Sequence, residues 1–357
     1  MYLEKGTGVP NYVAHLYRTC LERDWENQYV FFQPNLSRTL GATEIAPTRP
    51  GLIGAALFDS LRVQKLIRRT RPDVYHGPSH VLPLWKIPGV KYAVTIHDVA
   101  FLAIPSHWSR VMRLYYGWQI PRSCKMADVI VADSHNTKND LIRFYKIPPE
   151  KIEVVHLGAG EQFLNAGAPR KRLLEEKYFF SITTHPARKN ILGALKAFSI
   201  FAKQSNVKYL IAGLMGEPQR QELVAYADKL GIGNKVMLFG YADDEQLISL
   251  YQNAEFLIYP SFYEGFGLPV VEAMACGCPV IASNASSLPE VMPDSEWLVD
   301  PHDAGDMAGK MQQLLALSSI ERELLIVKNR QHVQNFTWEK AARRMMEIFE
   351  KLFRSPG

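Results

Sequence analysis

Short runs of β-branched and aromatic apolar residues recur along the chain, and each is followed by a helix-length amphipathic segment. In the first half these runs are Tyr29 to Phe32, Asp73 to His76, Tyr92 to Ile96, Val129 to Ala132 and Ile152 to Val155. In the second half they are Tyr178 to Ile182, Lys208 to Ala212, Val236 to Phe239, Glu255 to Tyr259, Val280 to Ser283 and Trp297 to Val299. Strands alternating with helices predict parallel sheets, and the pattern restarts after a stretch that breaks it. That stretch, Leu157 to Lys177, contains Gly158, Gly160, Gly167 and Pro169 with a basic cluster from Arg170 to Arg172, and it reads as a linker. The expectation is an α/β protein of two doubly wound domains, residues 1–160 and 161–335, followed by a closing amphipathic helix within 336–357.

Length and composition agree with this division. A chain of 357 residues exceeds what one core usually organises, and 47% hydrophobic with 22% charged residues is a globular composition. The four cysteines, Cys20, Cys124, Cys276 and Cys278, lack the spacing of a disulfide framework, which points to a reducing cytoplasm. No apolar run reaches the length of a membrane span, and the first residues do not read as a signal peptide. A net charge of +5 suits phosphates or an anionic membrane face and falls short of a nucleic-acid footprint.

The chain opens with a glycine-bearing loop, Met1 to Pro10, and a helix from about Asn11 to Glu22 whose Tyr12, Leu16 and Cys20 recur at helical spacing. A strand is expected before such a loop, and it is missing. Either the start is truncated or another segment fills the place, because interior strands need hydrogen-bonding partners on both sides.

The chemistry concentrates in Tyr259 to Val291, YPSFYEGFGLPVVEAMACGCPVIASNASSLPEV, where an apolar strand enters a glycine turn and then a helix. Gly265, Phe266, Gly267 and Leu268 would present backbone N–H groups at the helix entrance, where unpaired donors and the helix dipole favour a diphosphate. Glu264 and Glu272 lie eight positions apart, on the loop and on the helix, placed so that both can accept hydrogen bonds from sugar hydroxyls.

This segment resembles the signature of glycosyltransferase family 4, whose members have the two-domain GT-B fold and retain anomeric configuration. The resemblance implies that Glu264 contacts the donor sugar and Glu272 the nucleotide ribose. It also implies that the domains face a cleft, that the last helix crosses back to the first domain, and that no cofactor or divalent cation is required. Phe179 to Phe198, FFSITTHPARKNILGALKAF, resembles the family's phosphate-neutralising turn, with Arg188 and Lys189 as the candidate cations. Ala187 stands where relatives commonly continue Pro-Arg-Lys-Asn, so either cation could be the one that meets the phosphates. Phe239 to Tyr251 is similar to the base-binding region, and its Asp243 and Asp244 suit helix capping better than metal ligation.

In the first half, Val94 to Phe101, VTIHDVAF, is similar to the family's IHD segment, implying that His97 contacts the donor sugar or the reaction centre while Asp98 orients the loop. Gly6 to Tyr12, GTGVPNY, resembles the glycine loop, and only Gly8 carries over because Pro10 replaces a second glycine. Trp108 to Lys125 mixes Arg110, Arg113, Arg122 and Lys125 with Trp108, Tyr115, Tyr116 and Trp118, which suits either a membrane interface or an ordinary helix with a solvated basic edge.

The implied function is transfer of a hexose, with GDP-mannose as the first donor considered, to a saccharide or lipid-linked saccharide as in surface polysaccharide or O-antigen assembly. The implied partners are a nucleotide sugar and that acceptor, with a peripheral membrane contact and no nucleic acid. A nucleotide-sugar epimerase or phosphorylase of the same fold, or a non-catalytic nucleotide-sugar binder, are the alternatives. An epimerase would convert donor without acceptor, a phosphorylase would need inorganic phosphate, and a binder would never release nucleoside diphosphate.

Overall fold

The computed structural model describes residues 8–24, 26–32, 43–45, 54–183 and 187–355, with the backbone alone described at 32, 43–45 and 54–60. Two compact units are resolved: residues 1–102, 108–158 and 338–357 form the first, and 103–107 with 159–337 the second.

In the first unit, helix α1 (Val9–Arg23) precedes strands β1 (Val30–Phe32) and β2 (Thr43–Ile45), which pair with each other in parallel. Helix α2 (Gly54–Thr70) then leads to β3 (Val74–Gly77), β4 (Lys91–Ile96), the short α3 (Ala100–Ala103), α4 (Arg110–Met126), β5 (Val129–Ala132), α5 (His135–Tyr145) and β6 (Ile152–Val154). The four strands β3 to β6 form a parallel sheet in chain order. Residues 92–96 of β4 are buried without interruption, as expected for a strand covered on both faces. Among the described residues no strand precedes α1, and none pairs with both β1 and β3. The helix expected over Asn11 to Glu22 extends to both sides, because Gly8 at its N-cap adopts φ 71° and Pro10 fits the first turn.

The second unit continues with α6 (Glu161–Leu164), β7 (Tyr178–Ile182), α7 (Ile191–Phe201), β8 (Lys208–Ala212), α8 (Glu217–Lys229), β9 (Val236–Gly240), α9 (Asp244–Asn253) and β10 (Leu257–Tyr259). It ends with α10 (Leu268–Ala275), β11 (Val280–Ser283), α11 (Leu288–Val291), β12 (Leu298–Val299), α12 (Ala304–Leu315) and α13 (Ser319–Val333). Its parallel sheet has the order β12-β11-β10-β7-β8-β9. The chain winds outward from β7 through β8 to β9, then returns to lay β10 on the other side of β7. That reversal opens a crevice at the carboxyl ends of β7 and β10, where open α/β sheets bind ligands. The core beneath is aromatic, with Phe179 stacked between Tyr209 and Phe256 at centroid distances of 4.7 and 4.8 Å.

The last helix, α14 (Trp338–Arg354), belongs to the first unit and packs on α1. Trp338, Ala341, Ala342, Met345, Ile348 and Leu352 form its buried stripe at intervals of three and four residues. Burial of each large member contributes about 1.5–3 kcal/mol, and the His15 ring stacks on Trp338 at 5.5 Å to hold α1 in place. All four cysteines are buried and free.

Candidate functional site

The β7–β10 crevice collects the chemistry-bearing residues of the second unit. The turn after β7 carries Arg188 and Lys189, and Phe262 N donates to Arg188 O at 3.0 Å, tying the turn to the loop after β10. Thr184, His185 and Pro186 of the same segment lie outside the described residues. The Lys189 ammonium is buried and donates to Glu264 Oε1 at 2.6 Å and to the Tyr259 hydroxyl, lying 4.6 Å from the centroid of the Tyr259 ring. Of the two cations, Lys189 is therefore the one built into the floor of the crevice, and Arg188 is half-buried beside it.

Glu264 is 6% exposed, so its charge needs compensation. Burial pushes its pKa up, but Lys189 and Arg188 outweigh that and hold the carboxyl below its ordinary value. Its backbone is pinned as well: Glu264 N donates to Ser286 Oγ at 2.8 Å, and Ser287 Oγ donates to the carbonyls of Glu264 and Phe266.

The glycine turn then enters α10. Gly267 has φ 111°, and a Cβ there would fall 2.6 Å from Leu288 Cδ2, so both conformation and space select glycine. Phe266 is buried and packs edge-to-face on Phe336 at 5.7 Å, which fixes the loop from below. Val270 and Val271 donate to Gly267 O, which leaves Leu268 N–H one turn too early for an intrahelical acceptor. Pro269 has no N–H to satisfy.

Glu272, on α10, behaves unlike Glu264. Tyr251 OH donates to its Oε2 at 3.4 Å, while burial and then Asp244 push its pKa up to about 7. The carboxyl groups of Glu264 and Glu272 both bear on Tyr259, whose phenol is held well above its usual range first by burial and then by these neighbours. For Glu272, from the ordinary value of 4.5 up to about 7 the folded state holds more protons than the unfolded one, so stability falls as pH rises through this window and stays lower above it. Glu272→Gln removes the ionisation, and is expected to stabilise the ligand-free protein at pH ~8 by no more than about 3 kcal/mol and to change nothing at pH ~4. Denaturant titrations at the two pH values measure this, and an equal effect at both would contradict it.

The base-binding candidate region places Asp243 as N-cap of α9 in a capping box with Gln246. Tyr241 beside it is exposed.

The other two sequence candidates, Gly8 and His97, lie in the first unit. Gly8 caps α1, and α1 lays Tyr12 edge-on against His97 at 4.8 Å; Gly6 and Thr7 lie outside the described residues. His97 follows β4. Its Nδ1 lies 2.6 Å from Asp133 Oδ2 and its Nε2 lies 2.9 Å from Pro78 O. Burial lowers its pKa, but Asp133, with the Pro78 carbonyl and Asp98, more than reverses this and holds it above the ordinary histidine value. Asp98 accepts from Ala100 N and shapes the loop. Sequence reasoning passed over Asp133, which directly follows the apolar run Val129 to Ala132. A carboxylate closing an apolar strand is the signal that could have revealed it, although its partner lies 36 positions earlier.

A parallel, doubly wound domain that holds a cationic turn, an ionised carboxylate and a glycine-led helix entrance at its switch point defines a binder of an anionic, hydroxyl-rich ligand. Residues 168–349 match the family described as glycosyl transferases group 1, and residues 6–160 match glycosyltransferase family 4. The chain belongs to this glycosyltransferase family. It is 29% identical over 298 residues to the O-antigen chain mannosyltransferase B of Escherichia coli, covering 80% of this chain and 76% of that protein. It is 30% identical over 240 residues to the serotype-specific mannosyltransferase WbdA of E. coli, covering 64% of this chain and 29% of that longer protein. Among solved structures, Anabaena HepE in complex with UDP-glucose has the same fold, with a TM-score of 0.75 at 15% identity over 97% of each chain.

Proposed function

We propose that this glycosyltransferase moves mannose from GDP-mannose, with retention of configuration, to a saccharide or lipid-linked saccharide acceptor. The observation that carries the reading is the Lys189–Glu264 pair at the β7–β10 switch point, beside the glycine entrance to α10. Arg188 and Lys189 balance the charge that builds on the departing nucleoside diphosphate, and the amide of Leu268 adds a donor at the positive end of a helix. Glu264 accepts from the donor sugar's hydroxyls and Glu272 from the ribose. Acceptor recognition falls to the first unit, with His97 in a supporting role. The choice of mannose follows from the names of the E. coli relatives, and HepE binds a nucleotide sugar of the same general kind. The chemistry is assigned to these side chains with no metal ion or cofactor.

A panel of nucleotide sugars, scored by binding and by release of nucleoside diphosphate, tests the donor. GDP-mannose should bind and turn over in preference to UDP-glucose. The reverse preference would contradict the assignment.

The peripheral membrane contact is assigned to α4. Val111, Leu114 and Trp118 are 61%, 76% and 52% exposed on one side of that helix, with Arg110 and Arg113 exposed next to them. Arg122 is not part of this surface: it reaches the carbonyls of Leu82 and Pro83 and packs over the Trp118 ring. Apolar residues flanked by arginines match an anionic bilayer surface. Leu114→Ser with Trp118→Ser should weaken sedimentation with phosphatidylglycerol vesicles at least about tenfold, given ~0.8 kcal/mol for each buried CH₂. Turnover of a soluble acceptor should be unchanged. Undiminished vesicle binding would remove α4 from the contact.

A further inference from the structure

The carboxyl ends of β3, β4 and β5 bring His76, His80 and Asp133 together around His97. His97 Nε2 faces Pro78 O, a carbonyl that can only accept, so Nε2 carries a proton. Its Nδ1 faces Asp133 Oδ2 at 2.6 Å, a distance typical of a charge-assisted bond. An acceptor at each nitrogen is the arrangement that an imidazolium needs.

The surrounding groups agree with one positive charge at this position. His76, on β3, lies between Tyr17 OH and Thr95 Oγ1, and His80, after β3, meets the His97 ring edge-on at 5.2 Å. Burial and the charge on His97 push the pKa values of both down to about 3, so they are neutral. Asp98 adjoins His97 in sequence, and Tyr12 on α1 meets the His97 ring in a T-shaped contact. Tyr116 on α4 packs against His80 at 5.8 Å.

Two features are costly for a purely structural cluster. Asp133 is 2% exposed, yet its Oδ1 is buried with no hydrogen-bond partner among the described residues. His80 is held at φ 60°, a strained conformation for a residue with a side chain, by donation of its N–H to Thr95 O. Such costs collect at functional sites, where the surrounding fold supports them.

We propose that Asp133 is a positioning residue for the transfer reaction: it keeps His97 doubly protonated, so that the ring acts as a fixed positive charge and never as a proton acceptor. This rests on the reading that His97 belongs to the transferase site. The role differs from that of a catalytic base, which needs a bare ring nitrogen facing the substrate hydroxyl.

The test uses the full chain with 15N-labelled histidine, followed by NMR between about pH 5.5 and about pH 9, a window that brackets the ordinary histidine pKa. His97→Gln identifies the resonance. In the wild type the midpoint should lie above the ordinary histidine value, with both ring nitrogens protonated below it, and in Asp133→Asn the midpoint should fall. In Asp133→Asn kcat at pH ~7.5 should fall about 100-fold with little change in donor KM, and should recover as the pH is lowered and the imidazolium returns. A loss of packing alone would not respond to pH in this way. A His97 already neutral at pH ~7 in the wild type overturns the proposal. So does an Asp133→Asn enzyme with wild-type protonation, rate and pH profile. Absence of turnover in the wild type instead overturns the transferase assignment, and the NMR titration still decides the state of His97.

Discussion

Glu264→Gln is expected to lower kcat by about 10²- to 10³-fold while nucleoside diphosphate binds as tightly as before or more tightly. The two effects separate because of the pairing seen in the ligand-free crevice. Glu264 occupies the Lys189 ammonium that the phosphates would otherwise engage. A neutral amide at this position releases the cation to the nucleotide but supplies a weaker acceptor to the sugar whose bond is breaking. Glu264→Ala is the poorer probe. It leaves a buried ammonium without its anion, and removing one partner of a buried ion pair costs about 3–5 kcal/mol. Steady-state rates combined with calorimetric titration of GDP give both quantities. Retained turnover, or loss of nucleotide affinity in step with turnover, would exclude Glu264 from the sugar-contacting role.

Lys189→Met is expected to have the converse signature, losing both nucleotide affinity and stability. The carboxylate of Glu264 would stay buried with Arg188 as its remaining cation, so the loss at neutral pH should lie near the lower end of the ion-pair range, about 3 kcal/mol. In the wild type the folded pKa of Glu264 lies below its unfolded value, so its contribution is present above the unfolded pKa and disappears as pH falls through the folded one. The difference between Lys189→Met and wild type should therefore be large at pH ~7.5 and shrink toward pH ~4. Denaturant titrations at those two values measure it. A difference independent of pH would mean that Lys189 contributes by packing its alkyl chain and not by its charge.

The strands were legible because a parallel sheet covered on both faces selects unbroken apolar runs, as in Val129 to Ala132 and Val280 to Ser283, whose observed bounds coincide with the runs read from sequence. The strand missed is β2, Thr43–Ile45: three residues with Glu44 at the centre give no apolar run. The candidate donor residues were legible because a glycine turn between a strand and a helix has a local reason to exist, and Glu264 and Glu272 frame it. Their opposite electrostatics were not legible. Glu264 is held low by a lysine 75 positions earlier, and Glu272 is raised by burial and by Asp244 against the hydrogen bond from Tyr251. Asp133 was missed for the same reason, since strands adjacent in the sheet bring together residues that sequence spacing keeps apart. Arg122 was misread as a surface charge because helical spacing does not show that a guanidinium turns inward to satisfy two carbonyls.

Acceptor-dependent sugar transfer from a nucleotide donor bound by the second unit is the activity proposed for this chain. It is tested most directly by following GDP release from GDP-mannose with and without a lipid-linked saccharide, using Glu264→Gln as the control and NMR for the anomeric configuration of the product. Release should occur only with acceptor, collapse in Glu264→Gln, and accompany an α-linked product. Tight GDP-mannose binding with no acceptor-dependent release, or a β-linked product, would contradict it.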